Sequence, residues 1–285
     1  MGQGPNDNAT SGTDDGASGT GSAAFDDARF TADFQVDGST WGYVAGLTLS
    51  EAVELTTATY YYQTDQFFDV DKTRDNVDDD ELCWAATASN MLKYVGFDAG
   101  MTVDEIFQEF QYCFPDVAGW VDHGITWFLT GEFAPSSWEN GVQIENPGGA
   151  HYPNVTVSDY LGSYKVDSRN ANDAAGAMRV GTNALRFGGA VGLSIGWYAP
   201  SDAAYSQRNG GHAATLWGYY YDATKSENDP EYYTDLIISC SDDYTGDDRR
   251  YATPLDFDAA QNLYVMKDYN ADGVENSSYG LLETI

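Results

Sequence analysis

The spacing of apolar residues changes along the chain, and this change limits the fold class. Before Ala190, three stretches carry apolar residues three or four positions apart, the spacing of a helix with one buried face. Beyond Ala190, short runs of β-branched and aromatic residues alternate with turn residues, which is typical of antiparallel strands. The order predicts an α+β fold, with a helical N-terminal half and an antiparallel sheet in the C-terminal half.

The predicted helices have recognisable ends. The first ends at Gly96, a residue that suits the left-handed turn after a helix. The second begins with a capping box formed by Thr102 and Glu105, and the third runs from about Asn172 to Phe187. The buried face of the first comprises Trp84, Ala88, Met91, Leu92 and Val95, and that of the second comprises Ile106, Phe107 and Phe110. Strands are predicted at 190–198, 212–222, 233–240, 262–267 and 279–285.

The chain divides into a linker and one domain. Residues 1–24 are mostly Gly, Ser, Thr, Asp and Asn, a composition that cannot bury a core and predicts a flexible linker. Residues 25–285 have the composition of a globular domain. A linker of this kind fits a tether behind a removed secretion or lipoprotein signal, and no stretch is apolar enough for a membrane span.

Charge and cysteine content exclude several classes of protein. With 45 acidic and 13 basic residues the net charge is −32, so neither a nucleic acid nor an anionic membrane surface is expected as a partner. The cysteines number three, which is few and odd, so the sequence does not indicate a disulfide framework. The loop Asp268–Asp272 begins like a calcium loop, but Tyr279 replaces the bidentate Glu at its twelfth position. We therefore expect no metal and no cofactor.

Cys83 is the candidate nucleophile. It follows the acidic run Asp78–Glu81 at a predicted helix start, where backbone N–H groups favour a thiolate. We expect the acids to cap that helix start with their side chains toward solvent. A nucleophilic thiol also needs a base. His212, which follows two glycines and opens a strand, is the best candidate, since His123 and His151 fall in predicted loops.

An acid follows the next predicted strand. Asp242 and Asp243 stand just beyond it, where a carboxylate could orient the imidazole of His212. The order cysteine, histidine, then acid is the papain-like order. The residues alone do not decide which of the two aspartates takes this role.

Five sequence blocks follow one another over about residues 66–285. They are VDKT at 70–73, DDDELCWAATASNML at 78–92, AVGLSIGW at 190–197, the His212 block with LWG at 216–218, and IISCSDD at 237–243. Together, and in this order, they resemble segments of the IdeS/Mac family of secreted bacterial immunoglobulin-degrading cysteine peptidases, which are papain-like. The block at 78–92 resembles the family's nucleophile helix and is the specific one.

The resemblance implies a papain-like fold and a role for each matched residue. Cys83 would attack the scissile carbonyl, His212 would be the base, and Asp242 would orient His212. Lys72 would stabilise the oxyanion, and Trp217 would shield the histidine–acid pair from water.

The substrate site is expected to include three residues. Trp84 follows the nucleophile, Gly211 precedes the base and admits a substrate backbone, and Trp217 lies further along the same strand. Two departures from the family pattern concern the same region. Cys240 stands where the family has the first of two acids, and Lys72 lies one residue further upstream of Cys83.

The expected function is that of a secreted or surface-tethered bacterial cysteine endopeptidase, acting as a monomer on a protein substrate such as host immunoglobulin. Two alternatives stay open. One is a non-catalytic binding or adhesion module with the same fold, which the replacement of an acid by Cys240 favours. The other is a transglutaminase-like acyl transferase, which uses the same three kinds of residue.

Overall fold

Four α-helices lie within the part of the chain that the computed structural model describes. The described residues are 35–36, 39–40, 59–64, 66–72, 79–133, 144–159, 161–162, 174–198, 206, 208–241, 248, 250–266 and 279–285. The helices are α1 (Cys83–Val95), α2 (Val103–Cys113), α3 (Val121–Thr130) and α4 (Ala174–Arg186), with a short 3-10 helix at Val157–Asp159.

The three helices expected from the sequence are confirmed, but Val95, expected on the buried face of the first, is 43% exposed. Helix α1 ends at Gly96, which adopts the left-handed conformation with φ of 80°. Helix α2 begins with both hydrogen bonds of the capping box between Thr102 and Glu105. Helix α3 was not predicted, and the assignment of His123 to a loop is wrong because this residue lies in α3.

The strands form one large antiparallel sheet and one small pair. The pair consists of β1 (Gln35–Val36) and β2 (Ser39–Thr40). The strands of the large sheet are β3 (Thr59–Gln63), β4 (Val191–Tyr198), β5 (Arg208–Asp222), β6 (Tyr233–Ser239), β7 (Tyr251–Pro254), β8 (Asp256–Asp258), β9 (Leu263–Met266) and β10 (Tyr279–Thr284). Their order is β7-β6-β5-β4-β10-β9-β8, and β3 pairs with the C-terminal part of β5.

All five predicted strands are present; three further strands of the large sheet and the pair formed by β1 and β2 were missed. β7 and β8 are short, and the proline and aspartates in them weaken the strand pattern. β3 carries three consecutive tyrosines, a strand signal that the sequence did offer. The large sheet together with the helices confirms an α+β fold.

Helices cover the long strand β5 from both faces. Successive side chains of a strand point to opposite faces. Ala213 packs into the core formed with α1, α2 and α3, whereas Ala214 and Leu216 pack into the core formed with α4. Helix α1 also lies close to β4, since a Cβ on Gly192 would come within 2.9 Å of the sulfur of Met91. Helix α1 is thereby held against β4 and β5.

Among the residues described here, none of the helices combines the length and apolar character needed to cross a bilayer.

Candidate active site

Cys83 is the first residue of α1. The carbonyl of Leu82 accepts the first helical hydrogen bonds, from the backbone N–H groups of Ala85 and Ala86 at 2.9 and 3.1 Å. The first N–H groups of a helix have no partner within the helix, and they carry the positive end of its dipole. The thiol of Cys83 is partly buried at this end. A negative charge on its sulfur is therefore stabilised by the helix.

The acidic run before Cys83 does not cap the helix, so that expectation is wrong. The residue at the cap position is Leu82, whose apolar side chain cannot accept a hydrogen bond. The run precedes the helix because the chain turns there, with Leu82 N–H bonded to the carbonyl of Asp79 at 3.0 Å. Asp79 is fully buried and accepts a hydrogen bond from Gln111, whereas Asp80 and Glu81 are exposed. Asp78 lies outside the described residues.

His212 lies near the start of β5, opposite Ile195 of β4. Its imidazole is almost fully buried and stacks against the indole of Trp197, with ring centroids 6.5 Å apart. The imidazole lies close enough to the thiol of Cys83 for its charge and a hydrogen bond to lower the pKa of that thiol. The structure thus brings the predicted nucleophile and the predicted base together from two different elements.

The surroundings of Cys83 favour its thiolate. Burial raises the pKa of the thiol, because an isolated charge is poorly solvated there. The charge and hydrogen bond of His212, the charge of Lys72 and the backbone N–H of Ala213 oppose burial, and together they hold the pKa below its usual value. A cysteine with a lowered pKa is a stronger nucleophile near neutral pH.

Lys72 is buried beside the nucleophile. Its ammonium group donates a hydrogen bond to the backbone carbonyl of Asp80, in the turn before α1. Its backbone N–H donates to the carbonyl of Ser241, just beyond β6, at 2.8 Å. Lys72 therefore stands at the junction of the nucleophile turn and the central sheet, as an oxyanion-stabilising cation would.

Cys240 contacts the Nε2 atom of the His212 imidazole. Its sulfur lies 3.2 Å from Nε2 of the imidazole, and the residue is 2% exposed. Asp242, which was expected to orient His212, and Asp243 both lie outside the described residues. The role of these two aspartates stays a prediction. The contact between Cys240 and His212 was not predicted, because Cys240 was interpreted only as the replacement of an acid.

The predicted substrate-binding residues differ in exposure. The indole of Trp84 is buried against Phe110 and Phe114, and its N–H donates to the carbonyl of Val117 at 3.0 Å. The indole of Trp217 is also fully buried. Neither indole is exposed, and any contact of theirs with a substrate stays a prediction.

Gly211, by contrast, is exposed beside His212, and the Arg208 guanidinium lies over it. A Cβ there would stand 2.9 Å from the carbonyl oxygen of Ile195, so the close pairing of β4 and β5 requires glycine.

A second group of polar residues lies away from the site. His151 binds Glu109 at 2.8 Å, and the same carboxylate accepts the backbone N–H of Gly149.

Burial, with the nearby charge of Glu109, raises the pKa of the Cys113 thiol to about 11. This thiol is therefore poorly reactive and suits a control.

No group of histidine, cysteine and acidic side chains suited to a metal ion occurs among the described residues. The loop Asp268–Asp272 falls outside them.

Two comparisons with known proteins gave no relative. No protein-family model matches the chain, and no curated protein matches it.

Proposed function

We propose that this protein is a cysteine endopeptidase with a papain-like fold, similar to the IdeS/Mac peptidases. The observation that carries the proposal is the hydrogen bond between Cys83 and His212, together with the lowered pKa of the thiol. A nucleophile at a helix start, a base on a neighbouring strand and a buried cation are the parts that acyl transfer through a thiol requires.

The fold supports the same assignment. Helix α1 packs against β5 of an antiparallel sheet, so the nucleophile and the base meet where helix and sheet join. A papain-like peptidase has this division between a helix that carries the cysteine and a sheet that carries the histidine. The division is the reason for preferring this fold among α+β architectures.

The first chemical step forms an acyl-enzyme. The Cys83 sulfur attacks the carbonyl carbon of the scissile peptide bond, and the carbonyl oxygen becomes an oxyanion. The Lys72 ammonium and the backbone N–H of Cys83 stabilise that charge, at roughly 3 kcal/mol for each donor in comparable sites. The imidazolium of His212 then gives its proton to the leaving amine as the C–N bond breaks.

The second step hydrolyses the thioester. Neutral His212 takes a proton from a water molecule, whose oxygen attacks the acyl carbon. The C–S bond breaks, the product leaves as a carboxylic acid that gives its proton to solvent water, and Cys83 returns to the thiolate paired with imidazolium. Because Cys83 is partly buried, this ion pair is less exposed to bulk water, which strengthens it.

The proposed substrate is a protein outside the cell, and host immunoglobulin is the first to test. The resemblance to the IdeS/Mac peptidases suggests this substrate and a secreted or surface-tethered location. The strong negative charge of the chain favours protein surfaces that are neutral or basic.

The experiment compares wild type, Cys83→Ala and the control Cys113→Ala on a panel of immunoglobulins and on an unfolded protein. We expect wild type and Cys113→Ala to cut at least one of them, with the new termini mapped by mass spectrometry, and Cys83→Ala to cut none. Undiminished cleavage by Cys83→Ala would contradict the proposal. Adding a primary amine tests the acyl-transferase alternative, since that activity would leave the amine attached to the product.

A further inference from the structure

We infer that Cys240 is a positioning residue for His212, so that the site is a Cys–His–Cys arrangement in which a thiol takes the place of the usual acid. The inference rests on the proposed function of Cys83 and His212. It assigns to Cys240 the role that the sequence gave to Asp242.

The first argument is geometric. Sulfur and Nε2 are 3.2 Å apart, within the distance of a hydrogen bond to sulfur. The two ring nitrogens of an imidazole point in different directions, so the nitrogen left for Cys83 is Nδ1. The contact with Cys240 therefore selects the ring orientation that presents Nδ1 to the nucleophile.

The second argument is that the Cys240 sulfur is held in place. The preceding residue, Ser239, accepts a hydrogen bond from the Trp217 indole at 2.9 Å and donates one to the carbonyl of Phe68 at 3.1 Å. Cys240 itself is buried among the apolar residues of the core formed with α4. A side chain fixed in this way can fix the group it contacts.

A thiol affects the imidazole differently from a carboxylate. A thiol, unlike a carboxylate, adds no formal negative charge when its sulfur accepts a hydrogen bond from the N–H of His212. The imidazolium is consequently less stable than it would be next to an aspartate. Proteolysis requires the imidazolium form of His212. We therefore expect its rate to begin to fall, on the alkaline side, at a lower pH than in a site where an acid contacts His212.

The test uses the full-length protein and two readouts. The first is the rate at which iodoacetamide alkylates Cys83 at about pH 6, where an ordinary thiol hardly reacts, with the Cys83 peptide followed by mass spectrometry. The second is the pH profile of proteolysis. The variants are Cys240→Ala, Cys240→Ser and Cys240→Asp, with Cys113→Ala as the matched buried-cysteine control.

Cys240→Ala should slow alkylation at about pH 6 about tenfold, because one hydrogen bond to the imidazolium is lost. Cys240→Ser, which keeps an acceptor, should restore most of the rate, and Cys113→Ala should react like wild type. Cys240→Asp should extend proteolysis to higher pH. These changes report on the state of His212, and a packing defect alone would not produce them.

Two other results would count against different claims. If wild type reacts at about pH 6 and Cys240→Ala reacts equally fast, the inference is wrong while the proposed function stands. Loss of the fast reaction in Asp242→Asn would then identify the orienting residue. If wild-type Cys83 reacts only as an ordinary thiol, the proposed function itself fails.

Discussion

The side-chain amide of Asn90 donates a hydrogen bond to Thr215 Oγ1 at 3.1 Å, and so joins α1 to β5 inside the core. Its carbonyl oxygen accepts the backbone N–H of Val70, also at 3.1 Å. One buried side chain therefore links the helix that carries Cys83, the strand that carries His212 and the segment that carries Lys72.

Replacing Asn90 by alanine should destabilise the protein and loosen the site. The buried N–H of Val70 loses its hydrogen-bond acceptor, at a cost of about 1–3 kcal/mol in the free energy of unfolding. Denaturant unfolding measures this loss, and Cys83 alkylation should slow as well. Ser89→Ala is the control, since the Ser89 hydroxyl donates its hydrogen bond to the carbonyl of Ala85 within the same helix. Equal stability of the two variants would rule out the linking role.

Removing the charge of Lys72 should slow catalysis and weaken the thiolate. In Lys72→Ala we expect kcat to fall about 100-fold, since one oxyanion donor is lost. The pKa of Cys83 should rise, because Lys72 is one of the groups that lower it. Lys93→Ala is the control, as Lys93 pairs with Asp98 elsewhere. Full activity of Lys72→Ala with an unchanged thiol pKa would contradict the assignment.

Gly124→Ala should be destabilising although alanine favours helices. A Cβ at Gly124 would lie 2.7 Å from the Trp84 ring, so the ring or α3 must move. We expect a loss of about 1–3 kcal/mol in the free energy of unfolding and a displaced Cys83, which neighbours Trp84. Thr126→Ala, in the same helix, removes only a bond to the carbonyl of Asp122 and should cost less. A thermal shift assay distinguishes the two.

Asp235 should make stability depend on pH. Burial, with the nearby charge of Asp256, raises the pKa of this carboxyl to about 7. An unfolded aspartate has a pKa of about 3.9, so between these values only the folded protein holds the proton. The free energy of unfolding should therefore fall as pH rises through this window, by roughly 4 kcal/mol at most.

Asp235→Asn cannot ionise and should lack this fall. Compared with wild type, it should gain stability as pH rises from about 4 to about 8. Unfolding by urea at both values gives the comparison. Parallel pH profiles for the two proteins would show that Asp235 stays ionised in the folded state.

Local patterns in the sequence predicted α1, α2 and α4 because each has a repeated apolar face or a recognisable end. Helix α3 was not predicted because its start carries no such signal and its helical pattern is interrupted. It begins after Trp120, which has no capping side chain of the usual kind, and Gly124 interrupts its helical pattern. The glycine is explained only by the ring of Trp84 packed against it.

The site likewise has a part that the sequence predicts and a part that it does not. Cys83, His212 and Lys72 could be predicted as site residues from the sequence, because a nucleophile block, a strand start and a matching upstream segment mark them, and their catalytic roles stay predictions. The contact between Cys240 and His212 could not be predicted. It depends on the pairing of β5 with β6, whose register shifts between Leu216 and Gly218. Such an irregularity changes which side chains meet without leaving a clear signal in the sequence.

The most direct test of the account is the pH dependence of Cys83 alkylation in wild type and in His212→Ala. Wild type should react with iodoacetamide at about pH 6, where a thiol with its usual pKa of about 8.5 is almost fully protonated. His212→Ala should react at that pH at least about tenfold more slowly, since the paired cation is gone. A wild-type rate that rises only near the usual thiol pKa, with no difference in His212→Ala, would contradict the thiolate–imidazolium pair.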